Sequence, residues 1–69
     1  MPITMAGYGQ ALSIKRINGR DETKRFLENL GFVAGECVQI VSELGGNMIL
    51  CVKGTRVAID KAMANRIIV

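Results

Sequence analysis

The sequence predicts a small, mainly β domain: a partly open barrel of about five short strands, one inserted α-helix, and a helical turn before the last strand. Three observations carry this. Apolar and polar residues alternate over short stretches such as Leu12-Ser13-Ile14-Lys15 and Met48 to Val52. Only Asp21 to Leu30 combines helical spacing with start and stop signals. Gly19, Gly31, Gly35, Gly45, Gly46 and Gly54 cut the rest into short pieces. Sixty-nine residues make one domain, 1–69, around one core. A chain this short buries only about 60% of its unfolded surface, so its stability margin is thin.

Met1 to Gln10, with Pro2, Gly7 and Gly9, is a lead-in that is part loop and closes the barrel edge through Ile3 and Met5. Ala11 to Ile17 reads as the first strand, ended by the turn pair Asn18-Gly19. The helix follows, with Asp21 as N-cap and Glu22 in the first turn, where negative charge suits the macrodipole. Phe26, Leu27 and Leu30 form its apolar face, with Lys24, Arg25 and Glu28 outside it. Gly31 sits where a left-handed C-terminal cap is needed, and Phe32 where a Schellman motif places its hydrophobic contact.

Cys37 to Leu44 and Met48 to Val52 form a hairpin around Gly45-Gly46-Asn47. Parity predicts a three-residue loop pairing Leu44 with Met48 and Ile40 with Val52, because a two-residue loop would put the apolar faces on opposite sides. Thr55 to Ile59 is a further strand. Asp60 caps a helical turn through Asn65, and Ile67-Ile68-Val69 is a closing strand.

Composition narrows the function. Hydrophobic residues at 49% rule out a disordered chain, and aromatics at 4% leave an aliphatic core. Met1 to Gln10 lacks the pattern of a signal peptide, and no window approaches the roughly 20 apolar residues of a membrane span. A cytoplasmic protein is expected, touching a membrane only through a partner. The net charge of +3 is modest and its basic residues are scattered, so nucleic acid is not the expected partner. There is no His to act as a general base near neutral pH, and no Gly-Lys-Ser/Thr phosphate loop. Cys37 and Cys51 are expected to be free thiols, four positions out of register and too far apart to bridge. Two separated thiols and carboxylates are a poor set for a tight transition-metal site, so no resident cofactor is expected; any metal contact would be weak. The chain is not expected to be an enzyme.

One stretch is more specific. Arg25-Phe26-Leu27-Glu28-Asn29-Leu30-Gly31-Phe32-Val33-Ala34-Gly35 resembles the FeoA signature, a helix ending in Leu-Gly, an apolar residue, two more and Gly. The resemblance continues through Val38-Gln39-Ile40-Val41 and Val52 to Ile59, and ends in Ala64-Asn65-Arg66-Ile67-Ile68-Val69, similar to the family's Ala-x-x-Ile-x-Val. Ala34 departs from the Pro that many members carry there, at a small entropic cost. The resemblance implies an SH3-like barrel and an accessory role in bacterial ferrous iron uptake. It also implies docking on the cytosolic GTP-binding region of FeoB, a membrane ferrous iron transporter.

The docking candidates are Arg25, Leu30, Phe32, Met48, Ile49 and Arg56. The two arginines could clamp carboxylates on a partner or be ordinary solvated charges, the default reading, and Leu30, Phe32 and Met48 are apolar residues that a barrel this small either covers or leaves as a docking patch. For Ile49, Val41 and Cys51, cover by the helix or the lead-in is the favoured reading. The alternative function is a small metal-linked regulatory or nucleic-acid-binding module, as in diphtheria-toxin-repressor-type regulators. Self-association and the sign of any regulation stay open.

Overall fold

The computed structural model describes residues 1–69. A 3-10 turn, Ile3–Met5, precedes β1 (Leu12–Ser13), β2 (Arg16–Ile17), α1 (Glu22–Asn29), β3 (Cys37–Leu44), β4 (Asn47–Val52), β5 (Thr55–Asp60), α2 (Lys61–Ala64) and β6 (Ile67–Ile68). One antiparallel sheet has the order β1-β3-β4-β5, and β2 pairs with β6 in a second. The barrel therefore has six strands. The expected strand over Ala11 to Ile17 is split at a corner. Ile14 donates to Glu36 and accepts from Gly35 on one side, while Lys15 donates to Ile68 on the other. The backbone thus passes from the larger sheet to the smaller one without leaving its amides unpaired.

The ends are tied in as the β-branched terminus predicts. Arg16 and Ile17 pair with Ile68 and Ile67, Pro2 bridges to Ile68, and Met1 and Val69 exchange backbone hydrogen bonds of 2.8 Å. Ile3 is fully buried, but Met5 is exposed, so only the first of the two closes the barrel.

Helix α1 forms as its local signals dictate. Asp21 accepts from the Lys24 amide, and a complete Schellman motif ends the helix: Gly31 donates to Glu28 and Phe32 to Leu27, at 3.0 and 3.1 Å. Leu27 is the only fully buried residue of the helix, with Leu30 packed beside the core at the cap. Phe26 departs from expectation and is 50% exposed. An eight-residue helix meets the barrel along a narrow strip, here Thr23, Lys24, Leu27 and Leu30. Phe26 lies about 100° round the axis from Leu27 and falls off it.

The β3–β4 hairpin corrects the predicted loop. Leu44 pairs with Asn47 across a two-residue Gly45-Gly46 turn, both at positive φ (57° and 84°), as a type I′ turn requires. The parity problem is solved by a β-bulge at Val41, between the pairs Ile40↔Leu50 and Ser42↔Ile49. The extra residue resets the alternation, so Val38, Ile40, Leu50 and Val52 share the core face. It also turns Leu44 outward, leaving it 73% exposed although apolar alternation alone had allowed it inside. The β4–β5 turn places Lys53 at φ 51° and Gly54 at φ 76°. At α2, Asp60 accepts from the Met63 amide at 2.8 Å, as predicted for that cap.

Candidate docking surface

Two polar clusters fix the rim. Beyond the bulge, Glu43 accepts a 3.0 Å hydrogen bond from the Tyr8 hydroxyl and forms an ion pair with Lys61. These bonds lower the Glu43 pKa and raise those of Lys61 and Tyr8, each chiefly through its hydrogen bond in this trio. The lead-in is further held by Gln39, whose amide donates to the Gly9 carbonyl, and by the Gly9 amide, which donates to Ile40. At the second cluster, Arg66 lies 2.6 Å from the Asp21 carboxylate. Its hydrogen bond, with that of the Lys24 amide, holds Asp21 below the usual carboxylate range.

The six docking candidates do not form one patch. Phe32 and Met48 are core residues, 0% and 3% exposed, and are corrected out of the surface. The Schellman turn folds Phe32 back under the helix, and Met48 lies on the inward side of β4. Leu30 is half-buried against the core, and Arg25 is exposed on α1. Ile49 and Arg56 do come together. Register sets Gln39, Cys51 and Arg56 in one row across β3, β4 and β5, and Ser42, Ile49 and Ala58 in the next. Residues directly opposite share a face, so both rows form the outer face of the sheet. Helix α1 inserts Leu27 into the interior that Val38 and Leu50 also fill. It closes the inside of the barrel and does not cover this outer face, where cover by the helix or the lead-in was expected; the lead-in reaches the face at Gln39, whose amide donates to the Gly9 carbonyl.

The outer face carries a groove of about 300 Å³ near β3 and β4. Glu36, Cys37, Gln39, Cys51 and Lys53 border it. Both cysteines are free, Cys37 exposed and Cys51 half-buried. No helix is long and apolar enough to cross a membrane.

A sequence profile described as "FeoA domain" matches residues 1–69, the whole chain. The chain belongs to the FeoA family. Solved structures agree on the fold. An iron uptake regulatory protein (FeoA) is 30% identical with a TM-score of 0.84, covering 96% of this chain and 88% of its own. Stenotrophomonas maltophilia FeoA, crystallised with zinc and described as a prokaryotic SH3 domain protein, is 27% identical with a TM-score of 0.85 over 99% and 87% of the two chains. The iron(II) transport protein A of Clostridium thermocellum is 26% identical with a TM-score of 0.89; the match covers 97% of this chain and 43% of that one. A manganese-dependent transcriptional repressor, 16% identical, shares the fold with a TM-score of 0.84. A comparison with curated proteins gives no significant match.

The FeoA barrel is thus SH3-like, as the family motifs implied. What those motifs did not supply is the outer-face rows. The available signal was Gly45-Gly46 itself, a pair suited to a two-residue turn, from which the need for a bulge follows.

Proposed function

We propose that this protein is a non-enzymatic accessory of bacterial ferrous iron uptake, acting in the cytoplasm by docking on the cytosolic GTP-binding region of a FeoB-type transporter. The observation that supports this most is the FeoA match over residues 1–69. The relatives' descriptions point the same way: one is an iron(II) transport protein, and another is called a possible ferrous iron transport activating factor. The contact surface we assign is the outer face of β3 to β5, with Ile49 and Ala58 as its apolar part and Arg56 positioned for a carboxylate. Arg25 on α1 offers a second, separate cation.

Such docking can regulate only if the barrel binds two states of the transporter with different affinity. Binding one nucleotide state about tenfold more tightly shifts the balance between states by about 1.4 kcal/mol. Calorimetric titration with the transporter's cytosolic region, in GTP-analogue, GDP and empty states, tests the reading. Saturable binding that differs between states is expected, weakened by Arg56→Glu. Absence of heat and of complex in all three states refutes it. A second reading, a metal-linked regulatory module, draws support from the fold of T. acidophilum IdeR, 25% identical with a TM-score of 0.83, although the chain covers only 32% of that protein. Strong salt-dependent binding of nucleic acid would favour this second reading.

A further inference from the structure

The β3–β4 register brings together two groups that their spacing in the sequence kept apart. Gln39 pairs with Cys51, so Cys37, two residues before Gln39, lies on the same face and diagonal to Cys51. The expected separation of four positions rested on the three-residue loop, which the Val41 bulge replaces. Both thiols border the one groove of the outer face.

Diagonal neighbours of an antiparallel pair have Cα atoms about 7–8 Å apart and Cβ atoms somewhat closer. That is beyond the usual 4.4–6.8 Å or so of an unstrained disulfide. It suits an ion held between the sulfurs, since two metal–thiolate bonds, even at the zinc–thiolate length of about 2.3 Å, place the sulfurs no more than roughly 4.6 Å apart. No third Cys, His or carboxylate gathers with this pair into a larger metal cluster. A tetrahedral zinc site, which needs four ligands, is therefore not built here, whereas soft monovalent cations are selected by thiolates.

We propose that Cys37 and Cys51 form a two-thiolate site for a soft monovalent cation of the Cu(I) type on the outer face of the sheet. Binding replaces two S–H protons by two metal–sulfur bonds: one cation and two thiols give a bis-thiolate complex of net charge −1 and two released protons, with no change of oxidation state. The surroundings suit that anion. Lys53 borders the groove, and Arg56 stands directly opposite Cys51 on β5. Access is open, since Cys37 is exposed. This site stands independently of the docking proposal.

The test is an anaerobic titration of the full chain with Cu(I) in competition with a colorimetric Cu(I) chelator, using wild type, Cys37→Ser and Cys51→Ser. One ion per monomer is expected, with apparent affinity lowered at least about 100-fold in each single variant, equivalent to about 2.7 kcal/mol. Circular dichroism of both variants checks that the fold is kept. Two ions per chain, unchanged affinity in either variant, or one ion per two chains by size-exclusion chromatography would each overturn the site.

Discussion

Truncating Leu27 and truncating Phe26 are expected to have sharply different effects, though the two residues are adjacent and both apolar. Leu27 is 0% exposed and is the only fully buried residue of α1, whereas Phe26 is 50% exposed. Removing a buried leucine side chain to Ala costs about 2–5 kcal/mol through lost transfer energy and a residual cavity. A domain of 69 residues has a total stability of about 3.5–10 kcal/mol at typical values per residue. Leu27→Ala therefore removes a large share of it, lowering the melting temperature by at least about 8 °C. Phe26→Ala is expected to cost less than about 1 kcal/mol, because half of the ring is already in water. Urea unfolding followed by far-UV circular dichroism measures both. With a slope near 1 kcal/mol/M, the Leu27→Ala midpoint should fall by about 2 M or more. Equal losses for the two variants, or a Leu27→Ala cost below about 1 kcal/mol, would refute the assignment of the narrow helix strip.

Three further outcomes follow from the turns and the rim. Lys53→Asn should stabilise the domain by about 0.5–1 kcal/mol, since Lys53 sits at φ 51° beside Gly54 and Asn-Gly is the favoured type I′ pair; chemical denaturation checks it. The pKa shifts predict a stability plateau with two flanks. Asp21 and Glu43 are lowered from 3.8 and 4.5, so their contributions are complete above those values and lost as pH falls through the lower folded ones. Tyr8 and Lys61 are raised from 10.0 and 10.5, so theirs are complete below those values and lost as pH rises through the higher folded ones. Asp21→Asn keeps an N-capping side chain but should flatten the acid flank in melts from pH 2 to 7. Gly19→Ala should flatten it too, because a Cβ there lies 2.7 Å from the Arg66 guanidinium that faces Asp21, and should also cost about 1–2 kcal/mol for the φ of 109°.

Features set by local chemistry were legible in the sequence. The Asp21 and Asp60 caps and the Gly31 Schellman turn each depend on a few neighbouring residues, and the β-branched Ile67-Ile68 end announced a strand though not its partner, Arg16-Ile17. Features set by nonlocal geometry were not. Nothing in the sequence near Val41 marks it as a bulge; its role follows only when the Gly45-Gly46 turn and the inward Val38, Ile40, Leu50 and Val52 must be satisfied together. The same step explains the outward Leu44 and the meeting of Cys37 with Cys51. The split after Ile14 does leave a trace, since Lys15 and Arg16 are both exposed between buried Ile14 and Ile17 and so break the alternation, but a single continuous strand over Ala11 to Ile17 passes over it. Of the docking residues, Ile49 and Arg56 meet on one face only through the β4–β5 register, and Phe32 and Met48 are buried; apolar type does not reveal which side of a strand or turn is covered.

The outer face of β3 to β5 as the transporter-facing surface is tested most directly by NMR. Backbone amide shifts of the labelled barrel would be followed on adding the cytosolic region of a FeoB-type transporter. Shifts or broadening centred on Ile49, Cys51, Arg56 and Ala58 are expected, with core amides such as Ile14 and Ile67 unmoved. An unperturbed spectrum at saturating partner, or changes confined to α1 and β6, would contradict it.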